Sequence, residues 1–173
     1  MARPSNYLDA LRARAAALPF FRLIGLEVVE MLPGRSVLAI RHRPDLAQPT
    51  GILHGGVTAA LVDTGIAYAV LARDEIRSLV EAGGSVVAID LRIKYFRPVA
   101  AGRLTCVSRV TRMGRRVIHG ESIVTNEQDK EVARGDSIYG TVNANEMARH
   151  GAPSGTMHMM PEAVAHTVSE EGA

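Results

Sequence analysis

The chain has 173 residues, 47% of them hydrophobic and 22% charged, which predicts one soluble globular domain with a core of its own and argues against two. Lys plus Arg number 20 against 18 Asp plus Glu, an excess too small to argue for nucleic acid, although a pI near 9.0 tolerates anionic small molecules. The single cysteine, Cys106, excludes an internal disulfide and a cysteine-built metal cluster and fits a reducing, cytoplasmic setting, and no apolar run reaches the roughly 18 residues that would span a bilayer.

The N-terminus carries arginines but lacks the continuous apolar segment and cleavage site of a secretory signal, so export is not expected, while an organellar presequence stays open. Asn6 reads as an N-cap with Asp9 three positions on, and Leu8, Leu11, Ala15 and Leu18 recur at helical spacing up to Pro19. Residues 1–24 are thus expected to hold one short packing helix, with Arg12 and Arg14 on its solvated face. After Phe20-Phe21 the composition turns strand-like from Gly25 to Met31 and from Ser36 to Arg43, and the intervening Pro33-Gly34 makes this a hairpin.

Pro49, Gly51, Gly55 and Gly56 then punctuate a turn that feeds a helix. From Val57 to Ala72 apolar residues occupy every side of the helical wheel, as in a helix enclosed by other structure. Asp63 is the only ionisable side chain in that run. A carboxylate in apolar surroundings costs several kcal/mol unless it is paired, hydrogen-bonded or neutralised, so Asp63 is either satisfied structurally or used. Arg73 to Glu81 reads as a second short helix or a connection, closed by Gly83-Gly84.

Ser85 opens a strand in which Val87, Ile89, Leu91, Ile93 and Tyr95 face one way and Asp90, Arg92 and Lys94 the other, the alternation of a half-buried strand that Pro98 ends. Leu104 to Met113, Arg115 to Thr125 and Val132 to Val142, separated by Gly114 and by Asn126-Glu127-Gln128-Asp129, predict a meander. Without βαβ alternation a Rossmann-type sheet is excluded, and an antiparallel sheet curled round one helix is the α+β architecture that fits. The domain is placed at residues 25–144. Residues 145–173 lose periodicity and read as a poorly ordered tail, in which Met157, His158, Met159 and Met160 lack anything to fix a metal's geometry, so no metal is expected.

His54-Gly55-Gly56 leading into a helix with Asp63, followed by a strand that ends Ile93-Lys94-Tyr95-Phe96-Arg97-Pro98, resembles the hot-dog-fold acyl-CoA thioesterases of the PaaI-like, phenylacetate-degradation branch, from about Leu18 to Asn143. The resemblance implies a sheet wrapped round the helix, chains paired as homodimers or dimers of dimers, and hydrolysis of an acyl-CoA without a cofactor, CoA being part of the substrate. It assigns the carboxylate to Asp63 and the polarising amide to Gly55. It also marks two departures: Gln48 stands where an asparagine is frequent, and Ala88 where a serine or threonine is.

The chemistry can be reasoned on its own terms. Thioester hydrolysis needs an activated water and a donor for the developing oxyanion. Asp63 suits the first task, and the amides of Gly55 and Gly56 at a helix N-terminus suit the second, because they are unpaired, lie at the positive end of the dipole and have no Cβ in the way. Helical from one to the other, Gly55 and Asp63 are about 12 Å apart, too far to reach one carbonyl, so the site is expected to form across a two-fold axis.

Each candidate also has a structural reading. Asp63 could cap a turn or pair with an arginine, His54 could hold the turn and not act as a base, and the glycines could serve the turn's backbone alone. Tyr68 could be core, not substrate contact, and Arg97, Arg115 and Arg116 at strand ends could be solvated and not phosphate-binding. Two other functions stay open, a non-catalytic acyl-CoA sensor, against which Asp63 argues, and a hot-dog hydratase or dehydratase, which needs a differently placed histidine and acid.

Overall fold

The computed structural model of the protein describes residues 6–149, and its elements follow the sequence's punctuation closely. Helix α1, Asn6–Ala17, buries Tyr7, Leu11 and Ala15. Pro19 does not simply end it, because a short helix α2, Pro19–Ile24, begins there. Proline's missing N–H and fixed φ suit the first helical position, and Gly25 closes the helix at φ 67°. Phe20 and Phe21 therefore lie on a helix ahead of the strands.

Strands β1, Glu27–Leu32, and β2, Arg35–Arg41, form the expected hairpin. Helix α3, Gly55–Leu71, is the long buried helix, and α4, Asp74–Glu81, is a true helix. Strands β3, Ser85–Tyr95, β4, Arg103–Met113, β5, Val117–Thr125, and β6, Glu131–Val142, complete one six-stranded antiparallel sheet in the order β1-β2-β4-β5-β6-β3. A last short helix α5, Ala144–Arg149, occupies the start of the segment expected to lack structure, without burying any residue. The Met157 to Met160 cluster lies outside the described residues.

The sheet can wrap α3 because its middle is lined with small residues. Ser36, Ser108, Ser122 and Gly135 stand directly opposite one another on β2, β4, β5 and β6, a cross-strand row with its three serines fully buried. A Cβ on Gly65 of α3 would fall 2.2 Å from Ser108 Oγ, so helix and sheet approach at backbone distance there. The serine hydroxyls cost little in the core because they are bonded. Ser36 donates to the Gly65 carbonyl at 2.7 Å, and Ser108 and Ser122 share a bond of 2.7 Å.

Strand β3 departs from expectation. It lies at the sheet's edge, and a bulge at Ile89 interrupts its register on β6 between Ala88 and Asp90. One extra residue moves the following side chains to the other face. Ala88, Leu91, Ile93 and Tyr95 consequently stand opposite the inward residues Tyr139, Ser137, Gly135 and Ala133, whereas Val87 and Ile89 belong to the outer face. The predicted apolar file is not buried as one: Ile89 is 61% exposed and Tyr95 54%.

Candidate functional site

The turn before α3 is built by backbone pairing. Leu53 bridges Ala47 and donates to Val99 O, His54 N donates to Leu46 O, and Gly51, at φ 81°, closes the loop on Gln48 O. His54 is the N-cap of α3: its Nδ1 accepts from Gly56 N at 2.9 Å, which places the proton of the neutral ring on Nε2. The carbonyl of His54 takes the Val57 amide. Of the amides at this terminus, that of Gly55 is left without an acceptor among the described residues. Gly56, read as a second donor, has its N–H engaged in the cap.

The Gly55 turn opens on a cavity of about 420 Å³ lined by Gln48, Thr58, Tyr95, Phe96 and Arg97 among others. Tyr95 fixes the turn from the end of β3, its hydroxyl donating to Gly55 O at 2.9 Å. Gln48 donates to Thr50 Oγ1 at 2.9 Å, and Arg97 donates to the Glu131 carbonyl. The structure thus brings Gln48, Gly55 and Arg97 together round one apolar-floored opening.

Asp63 is not among the residues lining that cavity. It lies two turns further along α3, half-buried, with the Tyr139 hydroxyl 2.5 Å from its Oδ1 and 2.9 Å from its own carbonyl oxygen. No arginine pairs with it among the described residues. Burial first, then the bond to Asp63 and its charge, push the Tyr139 phenol far above its ordinary range, so it stays protonated and donates. Ala88, exposed on β3, stands directly opposite Tyr139.

Other expected contacts lie elsewhere. Tyr68 is core: it is 7% exposed, its ring meets Phe21 at 5.9 Å, and burial raises its phenol to about 12. Arg115 borders a different cavity of about 390 Å³, beside Ile76, Leu79 and Met113, and with Arg116 it sits at the β4–β5 turn, away from the glycine turn. Two residues that sequence reasoning did not single out, Tyr139 and Tyr95, hold Asp63 and the Gly55 turn respectively. No local pattern marks either, because both bonds join positions at least 40 residues apart. Among the described residues no group of three or more His, Cys, Asp or Glu side chains could hold a metal, and no single helix is long and apolar enough to cross a membrane.

Comparison with known proteins agrees with the fold. The E. coli PaaI protein of the phenylacetic acid degradation operon superposes with a TM-score of 0.69 over 79% of this chain and 94% of its own, and at 22% identity it shows the hot-dog fold alone. The medium/long-chain acyl-CoA thioesterase YigI of Escherichia coli K12 is 28% identical over 134 residues, 70% of this chain and 84% of that protein. A Mycobacterium tuberculosis protein that carries an esterase's name is 31% identical over 118 residues, 68% of this chain and 82% of its own. The family model described as the thioesterase superfamily matches residues 50–133, which hold the glycine turn, all of α3 and the edge strand, and the chain belongs to that superfamily.

Proposed function

We propose that the protein hydrolyses an acyl-CoA thioester to the free acid and CoA at sites shared between two chains, with Asp63 of one protomer and the Gly55 amide of its partner. The carrying observation is that the two halves of the site lie at opposite ends of one open edge strand. Tyr139, which holds Asp63, stands opposite Ala88 near the start of β3, and Tyr95, which holds the Gly55 turn, is its last residue. An open edge with exposed Val87, Ile89 and Leu91 calls for cover. Antiparallel pairing of β3 with a second β3 about a two-fold near Leu91 lays the Ala88 end of one chain against the Tyr95 end of the other. Asp63 then meets the partner subunit's Gly55.

In that arrangement the free Gly55 amide, aided by the positive end of α3, donates to the thioester oxygen as it becomes an oxyanion. Asp63 accepts a proton from the attacking water, and the tetrahedral intermediate expels the CoA thiolate. Gln48 and Arg97 line the channel on the glycine side, and no cofactor is invoked. An acyl-CoA sensor needs no free donor opposite a held carboxylate, so hydrolysis is the better reading.

Complementation tests the shared site. Gly55→Pro removes the amide at a first helical position where proline is accepted, and Asp63→Asn removes the base. Each alone should be inactive, and re-association of equal amounts should restore about a quarter of wild-type hydrolysis, since half the dimers are mixed and one of their two sites is intact. No recovery with mixed dimers confirmed by native mass spectrometry would refute sharing. A panel of aromatic, short, medium and long acyl-CoAs sets the acyl preference.

A further inference from the structure

Tyr139 is 3% exposed, its backbone held between Ile118 on β5 and Ala88 on β3, so its hydroxyl has a fixed position beneath α3. A phenol has one proton, and here it has two acceptors on the same residue, Asp63 Oδ1 at 2.5 Å and Asp63 O at 2.9 Å. The shorter contact is to the charged oxygen, where a hydrogen bond is strongest. That contact ties the rotamer of Asp63 to the sheet. It also distinguishes the two carboxylate oxygens, since Oδ2 has no donor among the described residues. Ala88 and Ile118, the residues opposite Tyr139 on either side, offer no side-chain polar atom.

We propose that Tyr139 is the positioning residue of the catalytic base: its hydroxyl occupies Oδ1 and so makes Oδ2 of Asp63 the oxygen that receives the water's proton. This rests on the hydrolase reading above. The proton moves from water to Oδ2 while the water oxygen bonds to the thioester carbon, and Tyr139 keeps its own proton throughout. Its high proton affinity, a consequence of burial, suits a group that donates without transferring.

Tyr139→Phe deletes the hydroxyl and keeps the ring that fills the core. With the carboxylate free to rotate, kcat on the best acyl-CoA of the panel should fall roughly tenfold or more while KM stays within about twofold, because substrate binding does not involve the phenol. The second readout is independent of turnover: the side-chain ¹³Cγ resonance of Asp63 should move in Tyr139→Phe at neutral pH. Unchanged kcat with an unchanged Asp63 resonance would overturn the proposal, as would a KM effect alone. Wild-type protein that hydrolyses no acyl-CoA would sink the hydrolase reading, and the resonance would still decide whether Tyr139 holds Asp63.

Discussion

Gly65→Ala is a one-carbon change that probes whether the helix must touch the sheet to carry Asp63. The new Cβ would lie 2.2 Å from Ser108 Oγ and 3.3 Å from both Ser108 Cβ and Cys106 Sγ, all on one strand beneath the helix. Rotating the hydroxyl away breaks the 2.7 Å bond to Ser122, about 1 kcal/mol with both groups fully buried, and still leaves the two tight contacts. Overpacking of this kind costs about 1–3 kcal/mol, and replacing glycine within a helix returns about 1 kcal/mol. The balance is a net destabilisation of about 2 kcal/mol, read as a fall in melting temperature of about 4–8 °C for a chain of this size. A double-mutant cycle with Ser108→Ala isolates the clash, because removing Oγ takes away the closest contact, and the pair should couple favourably by about 1 kcal/mol. Gly65→Ala as stable as wild type, or a cycle that is simply additive, would show that helix propensity outweighs the contact and that the serine row is not what seats α3.

Asp63→Asn keeps the size and part of the hydrogen bonding but not the base, so hydrolysis should fall at least about a hundredfold with CoA-thioester binding retained, checked by thiol release and by calorimetric titration. His54→Ala should cost about 1 kcal/mol through loss of the N-cap, and His54→Asn, which can also cap, should restore stability and keep turnover within a few-fold; a large kcat loss in His54→Asn would make His54 a chemical participant. Burial raises the phenols of Tyr7 and Tyr68 to about 12 from 10.0, so the stability they lend is complete below pH 10.0 and is lost as pH rises toward 12. Urea melts across that range, with tyrosinate absorbance followed in parallel, should show the loss, and Tyr68→Phe should remove the share due to Tyr68.

Much of the fold was legible because its signals are local. Apolar residues on every side of the wheel between Val57 and Ala72 predict the enclosed helix, and turn residues at Pro33-Gly34, Gly114 and Asn126 to Asp129 mark the strand ends. What was not legible depends on partners. An alternating strand reads the same at an edge as in the middle of a sheet, and the bulge at Ile89 is a relation to β6 that the residues of β3 do not carry. Pro19 is ambiguous for a related reason, since proline closes one helix by the clash it makes backward and opens the next by the φ it fixes forward.

Asp63 has a partner that no local pattern marks. A lone acid on an apolar helix is either satisfied or used, and the two are alternatives when the satisfying partner is a turn's amides or an arginine. An arginine would commonly engage both carboxylate oxygens as a fork and offset the charge, which leaves little for a water molecule. Tyr139 is neutral, brings a single proton and reaches one carboxylate oxygen, from a position 76 residues away that only the folded sheet brings near. It lowers the cost of holding a carboxylate there without cancelling its charge. Satisfaction and use are therefore compatible at this site, and on the hydrolase reading the oxygen left over is the one that takes the water's proton.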